Sequence, residues 1–308
     1  MRLGTRRSRL ALTQAEMVAR ALGPDVTLVE IDTEGDRLVD APLQGPLAKG
    51  FFTEAIEVAL RRGAIDLAVH SLKDLPVADP PGLVVAATPV REATADLLIV
   101  RADAWVEGAL LPIGPGARVG STSPRRQALL AAWAPGIQVI PLRGNVTTRV
   151  QRLREGRFEA IVLAEAGLQR LGALRPGGEV TLDGLRLFRL ALRSCPCAPG
   201  QGALAVQCRA QDTHVRARIS ALDHAPTAAD VSTERRWLTR LGGGCSVPFG
   251  AWVDGEAWSF GLGTPNGLIL RAGTGLACGS MALDQALAAT TSVDLPTVAL
   301  GSELHVYA

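Results

Sequence analysis

Lysine is almost missing from this chain. Of its 32 basic residues only Lys49 and Lys73 are lysine, the other 30 being arginine. Base composition or thermal adaptation accounts for most of that bias, which leaves the two lysines as positions where a compact ammonium is wanted instead of a planar fork. Aromatic residues are scarce too, at 4% with a single tyrosine. Stacking platforms for single-stranded nucleic acid need more of them. A net charge of +2 is also too balanced for a general nucleic-acid binder. No apolar run approaches the ~18 residues of a membrane helix, so no membrane partner is expected. The five cysteines, an odd number, suit free thiols better than a disulfide framework. The pair Cys195-Pro196-Cys197 has no second pair at ligand spacing, and no metal is expected there. No apolar secretory core follows the basic start Met1-Arg2-Leu3-Gly4-Thr5-Arg6-Arg7, from which a cytoplasmic location is expected.

What is present is enough for two or three globular domains: 308 residues, 47% of them hydrophobic and 20% charged. The first ninety residues alternate between strand and helix patterns. Strands are expected over 2–5, 26–31 and 65–70, and helices over 8–22 and 52–62. Between them 33–50 has little periodicity, and a loop that long inside a compact unit is usually functional or disordered. The alternation restarts with strands at 118–120, 138–141 and 160–164 and helices at 124–133 and 146–155. Such alternation argues for open α/β sheets with mostly parallel strands. Proline-rich stretches at 76–89 and 195–202 read as crossings between two such units. Beyond Gln211 the pattern changes to a helix at 227–241, strands near 247–253, 256–262 and 267–277, and a last helix near 281–290, which suggests a small α+β domain. No internal repeat is strong enough to count.

Three strand-to-helix junctions carry arginine and hydroxyl side chains: Thr5-Arg6-Arg7-Ser8, Gly120-Ser121-Thr122-Ser123-Pro124-Arg125-Arg126-Gln127, and Arg143-Gly144-Asn145-Val146-Thr147-Thr148-Arg149. Ser123 suits an N-cap and Pro124 the first helical position. A helix start already presents free N–H groups and a positive dipole end, so cations there make sense when an anion joins them. Solvated surface arginine is the competing reading for any one cluster. Three clusters at the sheet edge where α/β proteins bind ligands point instead to a ligand with several negative groups. No Walker loop favours phosphate over carboxylate.

A fourth junction, His70-Ser71-Leu72-Lys73-Asp74-Leu75-Pro76, places an acid beside the second lysine. Asp before a turn is commonly a turn former; near clustered arginines it is also a candidate for proton transfer or for stabilising a cation. Cys245 lies in Leu241-Gly242-Gly243-Gly244-Cys245-Ser246-Val247-Pro248. Glycines on one flank and proline on the other set a thiol on a loop that another molecule can approach. A small buried residue after a helix ending in glycine is the commoner reading of a free cysteine taken alone.

Together these strings, with Ala166-Gly167-Leu168-Gln169-Arg170 and Gly200-Gln201-Gly202-Ala203, resemble the porphobilinogen deaminase family nearly end to end. The resemblance implies an α/β fold of two periplasmic-binding-protein-like domains with open, mostly parallel sheets plus a small α+β C-terminal domain. Domain 1 is then 1–90 with 200–211, domain 2 is 91–199 and domain 3 is 212–308. It implies a monomeric transferase that adds four porphobilinogen units, each with loss of ammonia, to a dipyrromethane cofactor. Hydrolysis then releases hydroxymethylbilane. In the family's pattern Cys245 holds that cofactor by a thioether. Lys73, Ser123, Arg125, Arg126, Arg143, Gly144 and Gln201 surround it. Arg6, Ser8, Gln14, Arg149, Arg170 and Phe52 meet the substrate, and Asp74 is the catalytic acid that stabilises positive charge passing through pyrrole nitrogens.

The chain departs from the family's usual strings at three places. Ser8-Arg9-Leu10 replaces Ser-Pro-Leu, and Pro46-Leu47-Ala48-Lys49-Gly50-Phe51-Phe52 lacks a glycine pair, which should stiffen that loop. Arg91-Glu92-Ala93-Thr94-Ala95-Asp96 lacks an Asp-Pro-Arg centre, which allows an altered hinge. Two rivals explain the arginines without Asp74 or Cys245. One is a non-enzymatic anion-binding protein of the same architecture and the other a nucleic-acid binder.

Overall fold

The computed structural model describes residues 1–33, 53–174, 182–244 and 247–290. Strand β1 (Arg2–Arg6), helix α1 (Arg9–Leu22), strand β2 (Thr27–Ile31), helix α2 (Glu54–Arg61) and strand β3 (Leu67–Ser71) follow the expected alternation. Helix α1 starts where Ser8 Oγ accepts a hydrogen bond from the Ala11 amide at 3.3 Å. Then come β4 (Leu83–Ala87), β5 (Asp96–Arg101), β6 (Arg118–Gly120), α3 (Pro124–Trp133), β7 (Gln138–Ile140), α4 (Val146–Arg154), β8 (Ala160–Ala164), α5 (Glu165–Arg170) and β9 (Leu185–Arg189). The chain continues through β10 (Leu204–Arg209), α6 (Thr213–Ser220), α7 (Ala225–Arg240), β11 (Phe249–Asp254), β12 (Ala257–Thr264), β13 (Gly267–Thr274) and α8 (Leu276–Thr290).

The residues form two units, one of Met1–Glu92 with Gly200–Ser232 and one of Ala93–Pro199 with the chain from Thr233 on. In the first unit the strand order is β2-β1-β3-β10-β4, with β10 alone running against its neighbours. Helices α1 and α6 cover one face, burying Ala15, Val18, Val215 and Ile219 against Leu3, Leu67, Val69 and Val206. Helix α2 covers the other with Ile56 and Leu60 against Ile65, Ala68 and Leu83. The second unit holds a sheet of order β7-β6-β8-β5-β9, with β5 alone reversed. It also holds the antiparallel meander β11-β12-β13. The scarce aromatics gather there: Trp258 stacks on Phe260 at 5.9 Å and Trp237 meets both edge-on.

The fold class is therefore the expected one, with corrections at the level of elements. The stretch 76–89, read as a crossing, contains β4, and the units divide after Glu92 instead. Leu83-Val84-Val85-Ala86-Ala87 is a short unbroken apolar run whose period says nothing, and the prolines around it only punctuate the strand. The second expected crossing does contain the division between Pro199 and Gly200. The last helix starts five residues earlier than expected, at Leu276. Both five-stranded sheets share one strand order and one pattern of directions, although no repeat shows in the sequence. Connectivity and direction place no demand on residue identity at equivalent positions.

Candidate active site

In the first unit β1 and β3 are neighbours and parallel, so the chain leaves both at the same edge. Connections from β1 lead to β2 on one side and back to β3 on the other. At such a reversal an open α/β sheet leaves a crevice. Strand β10 runs the opposite way and begins opposite Ser71, which brings Gly200–Ala203 to that edge as well. Arg6, Ser8, Lys73, Asp74 and Gln201 are thereby gathered, and Gln14 joins them by donating from Nε2 to Ser71 Oγ at 3.0 Å.

Leu72–Asp74 is a single 3₁₀ turn, tied to the returning segment by the Leu72 amide on the Ala203 carbonyl at 3.0 Å. Lys73 Nζ donates to Gln201 Oε1 at 3.2 Å, and Arg91 Nε donates to the Gln201 carbonyl at 2.8 Å. Gln201 is fully buried, so it orients the ammonium from beneath. Asp74 is exposed and, among the described residues, has no hydrogen-bond or ion-pair partner. Behind the turn, burial pushes the His70 imidazole down to about 4, with Gln207 opposing and the charge of Arg6 assisting, which keeps it neutral near pH 7.

The second unit repeats the arrangement. Strands β6 and β8 are parallel neighbours, with β7 beyond β6. Ser123 caps α3, its Oγ accepting from the Arg126 amide at 3.4 Å, and Pro124 occupies the first turn as the sequence suggests. Asn145 caps α4, accepting from the Thr148 amide at 2.8 Å. Gly144 has φ 98°, and a Cβ there would lie 2.9 Å from Thr148 Cγ2, so the turn requires glycine. Arg149 Nε donates to the Gly144 carbonyl at 2.7 Å, and Arg152 Nη1 to that of Arg143 at 3.0 Å. Arg143 and Arg149 thus flank one braced turn, both partly exposed. Arg170 is the last residue of α5.

Arg125 and Arg126 are placed differently from the other basic residues. Both are buried, and both meet the fully buried Asp96 at the start of β5, with N–O distances of 2.7 and 2.6 Å. Burial alone would raise the Asp96 pKa. The two guanidinium groups override it and hold the carboxyl well below the usual carboxylate range. The anion demanded at this helix start is in part supplied by the chain itself. Sequence reasoning assigned Asp96 nothing, although two adjacent arginines in the first turn of a helix were a signal to look for an internal acid. Arg125 also donates to the Pro196 carbonyl at 2.8 Å, and Ala251 N reaches the Cys197 carbonyl at 2.8 Å, which fastens β11 to the same segment. Cys195 and Cys197 are buried there, and burial pushes the Cys195 thiol up to about 12. Cys245 and Phe52 lie outside the described residues.

The family model described as "Porphobilinogen deaminase, dipyromethane cofactor binding domain" matches residues 1–217. The chain belongs to the porphobilinogen deaminase family. Family members from Desulforudis audaxviator, Mycolicibacterium gilvum and Brevibacillus brevis are 46%, 45% and 43% identical over 254, 257 and 258 residues. Those matches cover 81%, 82% and 82% of this chain and 78%, 78% and 79% of the relatives. Among solved structures, a periplasmic binding protein of Salmonella typhimurium with high arginine specificity matches at TM-score 0.40 and 11% identity, covering 77% of this chain and 96% of its own. So loose a likeness bears on neither fold nor ligand. As a porphobilinogen deaminase the protein is a transferase of tetrapyrrole biosynthesis. It uses a dipyrromethane cofactor and joins porphobilinogen units with loss of ammonia.

The side chains at the two sheet edges fit that chemistry. Each pyrrole of the cofactor and substrate carries an acetate and a propionate, and both edges offer donors: an ammonium, guanidinium forks, hydroxyls and an amide. The acid among them, Asp74, suits pyrrole N–H groups, which need an acceptor.

Proposed function

We propose that Cys245 holds the dipyrromethane through a thioether bond and that Asp74 is the catalytic residue of each condensation. When bound, the cofactor supplies the pyrrole carbon to which units are added. The chain's own residues do the rest. Lys73, held by Gln201, with Ser123, Arg125, Arg126, Arg143 and the Gly144 turn take up cofactor carboxylates. Arg6, Ser8, Gln14, Arg149 and Arg170 take up those of the incoming porphobilinogen, and Phe52 stacks on its ring. Asp74 accepts hydrogen bonds from pyrrole N–H groups and stabilises the positive charge that passes through them. The observation that carries this assignment is an exposed carboxylate without a partner among the described residues, on a turn pinned at the point where the sheet's connections reverse.

Labour divides in this reading among 1–90 with 200–211, which bear the acid, 91–199, which bind carboxylates, and 212–308, which bear the thiol. The protein works as a cytoplasmic monomer and takes no nucleic acid, in keeping with a net charge of +2. Light scattering of the purified chain tests the monomer. Asp74→Asn keeps the fold, since the side chain is exposed, and slows elongation at least 100-fold. Turnover within a few-fold of wild type removes Asp74 from its role. Intact mass shows a dipyrromethane increment in the wild type that is absent from Cys245→Ser, and an active, unmodified wild type refutes the tether.

A further inference from the structure

Asp96 is fully buried, and the reaction as described leaves it without a part. Its Oδ2 accepts from Arg125 Nη2 at 2.7 Å and from Arg126 Nε at 3.1 Å, while its Oδ1 accepts from Arg126 Nη2 at 2.6 Å. Arg126 therefore docks by two prongs and Arg125 by one. Each fork is also tied to the backbone, Arg125 Nη1 to the Pro196 carbonyl at 2.8 Å and Arg126 Nη1 to that of Val162 at 2.9 Å. Neither guanidinium can swing without breaking several bonds in a site that water hardly reaches. Both also stand in the first turn of α3, where the helix dipole disfavours cations and the acid offsets it. Two cations against one anion leave the three side chains with one unmatched positive charge. Buried charge is costly unless paired, so the cluster is one carboxylate short.

We infer that Asp96 is a positioning residue for cofactor capture, holding Arg125 and Arg126 in the pose that receives a carboxylate of the dipyrromethane. The inference rests on the reading that these two arginines meet the cofactor. An asparagine at 96 keeps the shape but accepts through one oxygen only and raises the unmatched charge.

The test compares full-length wild type, Asp96→Asn, the double variant Asp96→Asn/Arg125→Met and Arg126→Gln, all purified as expressed. Intact mass reads the fraction carrying a pyrrole increment, peptide mapping reads where it is attached, and thermal unfolding reads the fold. Asp96→Asn is expected to fold yet load at least ten-fold less than wild type. The double variant restores the cluster's net charge and regains unfolding temperature, but stays poorly loaded because one receiving arginine is gone and Arg126 still lacks its two-pronged acceptor. Wild-type loading of folded Asp96→Asn overturns the inference. Loading that returns in the double variant also overturns it, by reducing Asp96 to charge balance, as does failure of both variants to fold. Full loading of Arg126→Gln means instead that the arginine reading has failed. An increment mapped away from Cys245 sinks only the tether.

Discussion

At the scale of single residues, polar side chains here are arranged by what is buried beneath them. Gln201 holds Lys73, Asp96 holds two arginines, and His70 sits neutral behind the acid-bearing turn. His70 has a measurable consequence. In the unfolded chain it titrates near 6.5 and in the native protein at about 4. Between those values the unfolded chain carries a proton that the native one does not. Stability is therefore complete above about pH 6.5 and declines as pH falls toward 4. At 1.36 kcal/mol per pH unit, the loss between pH 7 and pH 5 is about 2 kcal/mol. Urea unfolding of wild type and His70→Gln at the two pH values checks it, and an equal slope in both contradicts the assignment. The arginine-rich helix starts were legible in sequence because capping and dipole rules act within a few residues. Their partners were not, since Asp96 lies 29 residues before Arg125 and no local rule links them.

Among elements, helices α1–α4 and α7 and strands β1–β3 and β6–β8 were legible to within a residue or two. Strands β4, β5, β9 and β10 were not. β5 and β10 are buried runs inserted against the direction of their neighbours, β4 is a short apolar run, and β9 is a partly exposed edge strand of five residues, and none of these leaves a clear period in the chain. β11 shows how tightly such pieces are fitted. A Cβ on Gly250 would lie 2.4 Å from the Pro196 carbonyl oxygen and 2.8 Å from Arg125 Cδ. Backbone cannot yield as a side-chain tip does, so Gly250→Ala should cost roughly 1–3 kcal/mol. A fall in unfolding temperature, with β11 amides exchanging faster by hydrogen exchange, is the expected result. Unchanged stability means that the segment Cys195–Cys197 moves freely.

For the whole molecule, the deciding fact is that the first unit is discontinuous. Its sheet lacks the strand between β3 and β4 until residues 204–209 arrive, after the entire stretch 93–199 has been made. A chain ending at residue 199 therefore leaves β3 and β4 without their shared partner. Amides of β3 and β4 should exchange within seconds to minutes in that fragment and be protected in the full chain. Strong protection in the fragment means that the unit folds without β10. Seven ordered motifs sufficed to place the chain in its family, because motif order survives where strand boundaries are invisible. The repeat of topology between the two large sheets was beyond sequence reasoning for the same reason that it is robust: strand order constrains no particular side chain.

The joint between units was met above as a boundary after Glu92 and another before Gly200. The Glu92 amide donates to the Gly202 carbonyl at 3.1 Å, so departing and returning chain are stitched side by side. In gene-engineering terms that stitch is a splice junction. A linker of a few residues joining 92 to 200 would carry the chain past the excised stretch and leave the strand order β2-β1-β3-β10-β4 intact. The acid-bearing unit would then be a small reagent by itself, on which pyrrole carboxylates can be titrated by NMR with no turnover to blur the result.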